Sequence, residues 1–483
     1  MLMSAEILAT AYLTTQVLGF LSAIHALFTV RTAQGATAWI VGLVAFPLVA
    51  VPAYFVFGCR RFNSHGRAME SKLKRHAGLM GQVFDDWQPY TVERSSLNPA
   101  AAGALAELAG FEFLAGNRLR LLIDGDATFT EILREIATAR ESVYVQFYIV
   151  RNDDLGNRLL EAMAQRAEAG VKVCFLYDSF GAWEITAKVA EIWRRRGIEM
   201  RAFCARASGR DRWRLNFRNH RKNVIVDGRT GFVGGHNVGD EYLGLNPNYG
   251  RWRDTHVRVE GPAAQQLQMV FAADWFYITD EILPGPWRPV EPEHPAGIAT
   301  PDQRVLVLAS GPSDDIERCT LFFLHVIGMA RQRIWIASPY FVPDEPVIQA
   351  LQLAAVRGVE VRILIPQEPD KRLVWLASFQ MLLELNHPNI HIHRFTGGFL
   401  HHKALVVDEE FAAVGTANFD NRSFRLNFEL TLAVADRAFA GQVAAMFEHD
   451  FTESRECSAQ GYSELSRMDK IGVRITRLLA PIL

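Results

Sequence analysis

The chain has 483 residues and a formal net charge of −2. That length is enough for two sizeable cores beside a membrane portion, and the near-neutral charge excludes a global basic field of the kind that holds nucleic acid. Five cysteines, Cys59, Cys174, Cys204, Cys319 and Cys457, are scattered with no Cys-x-x-Cys pair, which argues against a zinc site or a disulfide framework and suits a reducing compartment.

Two apolar runs open the chain, residues 7–30 and 36–58, separated by 31–35. A bilayer core about 30 Å thick takes about 20 helical residues, so residues 1–60 are read as two transmembrane helices. No basic n-region precedes the first run, which weighs against a removable signal peptide. Pro47 and Pro52 would kink a soluble helix but are tolerated in a membrane one, and His25 reads as a polar helix-contact residue. After Gly58 come Arg60, Arg61, Arg67, Lys72, Lys74 and Arg75, against Arg31 alone in the loop. The positive-inside rule then puts the loop outside and the bulk of the chain on the cytoplasmic side of a multi-pass cell-membrane protein. The same cluster suits contact with anionic headgroups. Residues 61–117 are a basic, then alanine-rich helical connector.

From residue 118 strands and helices alternate. Strands are expected at 118–122, 143–150 and 171–177, with helices at 128–139 and at 155–169, the latter ended by Gly170. The later part repeats this, with strands at 305–309, 334–341 and 359–365 and helices at 316–330 and 346–357, closed by Gly358. Such alternation implies mostly parallel pairing with helices on the sheet faces. The expected fold is therefore α/β, two pseudo-symmetric halves at 118–283 and 304–470 with mixed, mostly parallel sheets sharing one active site. A Pro-rich linker at 284–303 joins them. A mixed arginine and leucine tail at 471–483 is suited to the membrane interface or to docking on the protein's own surface.

An internal repeat lies within these halves. Asn219-His220-Arg221-Lys222-Asn223-Val224-Ile225-Val226-Asp227 returns as Leu400-His401-His402-Lys403-Ala404-Leu405-Val406-Val407-Asp408. Each copy reads as a strand with His and Lys on one face, then a turn and a return strand ending in glycine, with Asn three residues on. The pairs are Gly234 with Asn237 and Gly415 with Asn418. One copy alone would be read as a solvated edge, but two with matched spacings imply two half-sites.

This doubled His-x-Lys-x-x-x-x-Asp pattern resembles the phospholipase D superfamily. The stretches Gly234-Gly235-His236-Asn237, Trp252-Arg253-Asp254-Thr255-His256 and Gly415-Thr416-Ala417-Asn418-Phe419-Asp420-Asn421-Arg422-Ser423-Phe424 resemble bacterial cardiolipin synthases within it, and the likeness runs the length of the chain. It implies transfer of a phosphatidyl group between two phosphatidylglycerol molecules, with glycerol released. The implied partners are phosphatidylglycerol and other anionic phospholipids at a membrane, with no nucleic acid, no cofactor and no metal; no oligomeric state follows. Hydrolysis, as a phospholipase D or a nuclease, is the alternative.

Breaking a phosphodiester without a metal takes a nucleophile, an acid for the leaving alcohol and fixed positive charge. The candidate catalytic set is His220, Lys222, Asp227, His401, Lys403 and Asp408, with Asn237 and Asn418 as neutral donors. Residue types leave open which histidine attacks; the resemblance assigns attack to His220 and acid/base work to His401. It also makes Asp254 and Glu429 the orienters, each of the histidine in its own half. Strand alternation points Asp227 and Asp408 to the opposite face from the lysines, so they read as closing the hairpin or bracing the site.

Neighbouring residues carry weaker readings. His402 faces away from His401, and the family usually has a small residue there. His391 and His393 resemble a metal pair but lack a third ligand at suitable spacing. Ser423 is read as a substrate contact or a turn residue. Arg201, Arg206, Arg210, Arg212, Arg214, Arg218 and Arg221 make a basic run suited to lipid phosphates, while the interleaved Trp213 and Phe217 keep a nucleic-acid reading in view.

Overall fold

The structure is a computed structural model that describes residues 2–30, 33–58, 77–97, 99–203, 217–293, 302–457 and 460–479. The basic cluster from Arg60 to Arg75, with the topology read from it, lies outside these residues, as do Arg31, Cys59, Cys204, Arg206, Arg210, Arg212, Trp213 and Arg214.

The first apolar run forms the helix Leu2–Thr29, of which Ala9–Thr29 is long and apolar enough to cross a membrane. The second run departs from the expected single span and folds as two helices, Ala33–Ala45 and Pro47–Phe57. Phe46 leaves helical space, at φ −135° and ψ 57°, because the ring of a following proline clashes with its backbone. One helix among the described residues therefore meets the length of a crossing, where two were expected. His25 contacts a neighbouring helix, its Nδ1 2.8 Å from the Tyr54 hydroxyl.

The two halves repeat one strand order. Outward from the junction, the first runs Leu114–Ile123, Thr255–Glu260, Thr230–Gly234, Asn223–Val226, Ser142–Phe147, Lys172–Asp178 and Glu199–Phe203. The second runs Gln303–Ser310, Asn427–Val434, Phe411–Gly415, Ala404–Val407, Arg333–Ala337, Glu360–Pro366 and Ile390–Phe395, with Ser454–Cys457 added at the edge. Leu114–Ile123 pairs antiparallel with Gln303–Ser310, so the halves share one continuous sheet.

That sheet is mixed, as expected, but not mostly parallel. Apart from one two-residue bridge, Arg218–Asn219 to Asn427–Phe428, parallel pairing in it is confined to the βαβ units, Ser142–Phe147 through Glu199–Phe203 and Arg333–Ala337 through Ile390–Phe395. The strands between them and the junction all pair antiparallel. The cause is local. The repeat closes through a tight turn in each half, and a tight turn can join only antiparallel neighbours.

Helices cover both sheet faces. In the first half Leu159 and Met163 pack over Phe175 on one side, while Leu267, Phe271 and Trp275 fill the other. Each such burial stabilises by about 1.5–3 kcal/mol. The glycines read as helix ends behave so, with Gly170 at φ +89° and Gly358 at φ +88°. Linker residues 284–293 form no regular element but are docked, the Gly285 carbonyl accepting from the Tyr144 hydroxyl at 2.9 Å.

The C-terminal stretch forms a helix, Arg467–Leu479, that docks on the protein's own surface. Val473 is fully buried, and Arg372 of the helix Arg372–Glu384 reaches Asp469 at 3.0 Å. Its Met468, Ile471 and Ile475 remain exposed.

Candidate active site

Asp227 and Asp408 fix the far end of each motif, away from the histidines. Both have positive φ, 52° and 50°. The Asp227 carboxylate accepts from the backbone N–H groups of Arg140, Glu141 and Ser142 at 2.8–2.9 Å. Asp408 does the same for Arg331, Gln332 and Arg333, at 2.8–3.0 Å. Each thus ties the hairpin turn to the loop entering the neighbouring strand, which is the bracing role that alternation indicates.

At the other end the motif chain is held by the opposite half. Arg218–Asn219 pairs in parallel with Asn427–Phe428, and Phe399–Leu400 with Trp252–Arg253. The His220 N–H donates to the Phe428 carbonyl at 2.9 Å, and the His401 N–H to the Arg253 carbonyl at 2.8 Å. The residue after each acceptor is a carboxylate, and it meets the ring of the histidine just placed. His220 Nδ1 lies 2.9 Å from Glu429, and His401 Nδ1 2.7 Å from Asp254. Both expected orienters thus meet a histidine, but each meets the histidine of the other half and not its own. The exchange follows from the two short parallel bridges, which carry each carboxylate across the junction.

The two braces are built differently. Glu429 also accepts from Thr416 Oγ1 at 2.5 Å, Ser423 Oγ at 2.8 Å and Asn427 Nδ2 at 3.1 Å. Ser423 is thus a brace of Glu429 as well as a turn residue. Asp254 accepts from the Thr255 N–H at 2.8 Å and is crowded by Gly235, where a Cβ would fall 2.0 Å from its Oδ1. Neighbouring Arg253 anchors the halves, its guanidinium forming two 2.8 Å bonds to the buried Asp450.

Both lysines are buried among these groups. Lys222 Nζ donates to the His220 carbonyl at 2.7 Å, and Lys403 Nζ to the His401 carbonyl at 2.5 Å. Burial lowers Lys222 to about 7, with the Lys403 charge adding to the drop while Glu429 and Asp254 oppose it. Burial likewise lowers Lys403 to about 8. Burial holds His220 at about 4 against the support of Glu429, and His401 lies well below its ordinary value from burial and then the Lys403 charge. Burial pushes Glu429 up, yet His220, Lys222 and Thr416 outweigh it and leave its carboxyl lowered. With each Nδ1–H given to a carboxylate, each Nε2 keeps its lone pair.

His220, Asn237 and Asn418 line a cavity of about 470 Å³ together with Tyr148, Tyr340 and Asp420. A larger one of about 650 Å³, walled by Leu105, Phe113 and Met329, contains none of the motif residues. Asn237 Oδ1 accepts from the Ile149 N–H at 3.2 Å, and the Asn418 N–H donates to Ser423 Oγ at 3.0 Å.

Other sequence candidates fall elsewhere. His402 is buried against Phe447, 3.5 Å from Asp450. His391 bonds Glu456 at 2.7 Å and His393 packs on Phe451. Arg221 does not reach the cleft mouth: it is buried, 2.6 Å from Asp274. Arg201 lies over Trp275, while Arg218 lines the cavity. Thr416 and Asn427 are functional neighbours that spacing did not single out, although both flank residues already in view.

Duplicated halves that turn a histidine and lysine pair each toward one another across a shared sheet define the phospholipase D class of phosphodiester enzymes. A family model described as "Cardiolipin synthase, PLD-like domain" matches residues 132–275 and 323–451. Cardiolipin synthase A of Pseudomonas putida (strain W619) is 46% identical over 472 residues, covering 96% of each chain. Its counterpart in Pseudomonas aeruginosa (strain LESB58) is 44% identical, covering 97% of this chain and 94% of that one. The crystal structure of a phosphatidylserine synthase from Haemophilus influenzae Rd KW20 superposes with a TM-score of 0.58 at 14% identity, over 80% of this chain and all of that one; this likeness bears on the fold. The chain belongs to the bacterial cardiolipin synthase family of the phospholipase D superfamily.

Proposed function

We propose that this membrane enzyme makes cardiolipin, transferring a phosphatidyl group from one phosphatidylglycerol to the hydroxyl of a second and releasing glycerol. The observation that carries the chemistry is the crossed pair of braced histidines, His220 on Glu429 and His401 on Asp254, each beside a buried lysine. The substrate class follows from the family.

His220 Nε2 attacks phosphorus, and the P–O bond to the departing glycerol breaks as His401 supplies its proton. The covalent product is a phosphohistidine. His401, now neutral, takes the proton of the acceptor hydroxyl, whose oxygen displaces His220. Lys222 and Lys403 balance the phosphoryl charge in both steps. A neutral nucleophile is what burial secures at His220. The bound phosphate raises the affinity of His401 for its proton, reversing the depression in the empty site. One phosphodiester of a glycerol hydroxyl is exchanged for another, so no nucleotide is needed.

The fold supports a seat at the bilayer. Leu2–Thr29 crosses it, the broken pair Ala33–Ala45 and Pro47–Phe57 completes a second passage, and the catalytic halves face the cytoplasm of the cell membrane. The domain plan read from the sequence, two halves at 118–283 and 304–470 joined through 284–303, is retained in this reading. Purified enzyme in phosphatidylglycerol vesicles is expected to release glycerol as cardiolipin appears, and to run backwards when glycerol is added. Phosphatidic acid as the main product from intact vesicles would instead make it a hydrolase.

A further inference from the structure

We infer that Arg218, Lys371 and Arg422 form a second phosphate subsite that holds the acceptor lipid by its own phosphodiester while its hydroxyl meets the reacting phosphorus. The inference rests on the transfer reading above and deepens it. A hydrolase needs charge for one phosphate, and Lys222 with Lys403 supplies it. Joining two phosphatidylglycerols brings two phosphodiesters into one cavity, a glycerol unit apart, and the second requires its own cations.

The cavity wall provides them from both halves. Arg218 enters from the first, its guanidinium 4.1 Å from the Phe180 ring, which fixes the plane of its donors. Tyr148 neighbours both Arg218 and the reacting groups, with its ring 5.0 Å from that of His220 and 5.6 Å from Lys222 Nζ. Arg422 and Lys371 come from the second half. Lys371 Nζ lies 5.0 Å over the Tyr340 ring, and the residue immediately precedes the helix Arg372–Glu384, whose Val374 also lines the cavity.

Two carboxylates, Asp370 and Asp420, line the same cavity as the three cations. Asp370 is engaged by the Tyr340 hydroxyl at 2.8–2.9 Å. Asp420 caps Asn421–Arg425 through the Ser423 N–H and is raised to about 6 by burial. Arg218 is lowered by burial, and the Arg422 charge opposes it further while Asp178 and Tyr148 support it. An anion between the two arginines would relieve that repulsion. Guanidinium pairs bind phosphate in two-pronged geometry, which gives orientation as well as affinity.

The test is a competition between acceptors. Full-length enzyme in phosphatidylglycerol vesicles is given ethanol, an alcohol with no phosphate, and cardiolipin and phosphatidylethanol are measured together. In Arg218→Gln, Lys371→Gln and Arg422→Gln the ratio of cardiolipin to phosphatidylethanol should fall about tenfold or more. Lys371 is exposed, so that variant folds even if a change at a half-buried arginine does not. Weaker binding to the vesicle would lower both products and leave the ratio alone. A ratio within about twofold of wild type in all three variants overturns the subsite. Wild-type enzyme that makes phosphatidylethanol but no cardiolipin overturns the transfer reading itself, which is a separate outcome.

Discussion

His401 and Asp254 lie 2.7 Å apart, ring nitrogen to carboxylate, although they belong to different halves of the chain. His220 and Glu429 mirror them at 2.9 Å. Neither half can therefore complete its own histidine, and the active site exists only when the two are assembled. Asp254→Asn should impair the acid, His401, and Glu429→Gln the nucleophile, His220, each lowering turnover by about 10²–10⁴-fold. A labelled substrate with a good leaving group, which needs little acid help, separates the two. Label should still accumulate on Asp254→Asn and fail to accumulate on Glu429→Gln; the opposite pattern would restore the same-half pairing.

The two motif aspartates should behave as structural groups. Asp227→Ala and Asp408→Ala each remove an acceptor of three backbone N–H bonds and place alanine at positive φ, so losses of about 2–4 kcal/mol in stability are expected. Asparagine tolerates that backbone and keeps one acceptor oxygen, and should lose less. Thermal unfolding set beside activity per folded molecule checks this. Asp227→Ala protein that melts normally yet is inactive would count against the bracing role.

These contrasts show what the sequence made legible. The spacing of His, Lys, Asp and Asn was visible because each motif is one hairpin, its geometry set within 20 residues or so by strand alternation and turn chemistry. Gly170 and Gly358 marked helix ends for the same local reason. The exchange of Asp254 and Glu429 was not visible. It depends on bridges of two residues each, Arg218–Asn219 and Trp252–Arg253, too short to leave a periodic signal. The break at Phe46 was masked by the hydropathy of a run that stays apolar through Pro47, and the antiparallel majority by the alternation of strands and helices, which signals parallel units and is silent on how the motif hairpins join the sheet.

Phosphoryl charge is balanced in this mechanism by Lys222 and Lys403, so exhaustive chelation should leave the initial rate unchanged at fixed ionic strength. Lys222→Met or Lys403→Met should each lower kcat by about 10²–10³-fold, in the range of losing one preorganised electrostatic partner. Dialysed enzyme that is inactive in chelator and revived in proportion to added zinc or manganese would require a different source of charge.

The alkaline limb of the pH profile follows from the same lysines. In the empty site burial lowers Lys222 to about 7 and Lys403 to about 8, with Glu429 and Asp254 facing both. A lysine whose value is lowered loses its proton, and so its charge, as pH rises through that value. kcat/KM, which reports the free enzyme, should therefore steepen near 7 and again past 8 as the two ammonium groups discharge, beyond the decline that His401 sets as it loses its proton at lower pH. Bound phosphate favours the charged amines, so the corresponding limb in kcat should lie at higher pH. Glu429→Gln removes a charge that supports Lys222 and should move the onset in kcat/KM to lower pH, in the activity that remains. Rates measured in phosphatidylglycerol micelles across pH 6 to 10 decide the matter. A kcat/KM that shows no such steepening until the ordinary lysine range would mean that the two ammonium groups are not held in the dry, mutually repelling arrangement from which this mechanism is built.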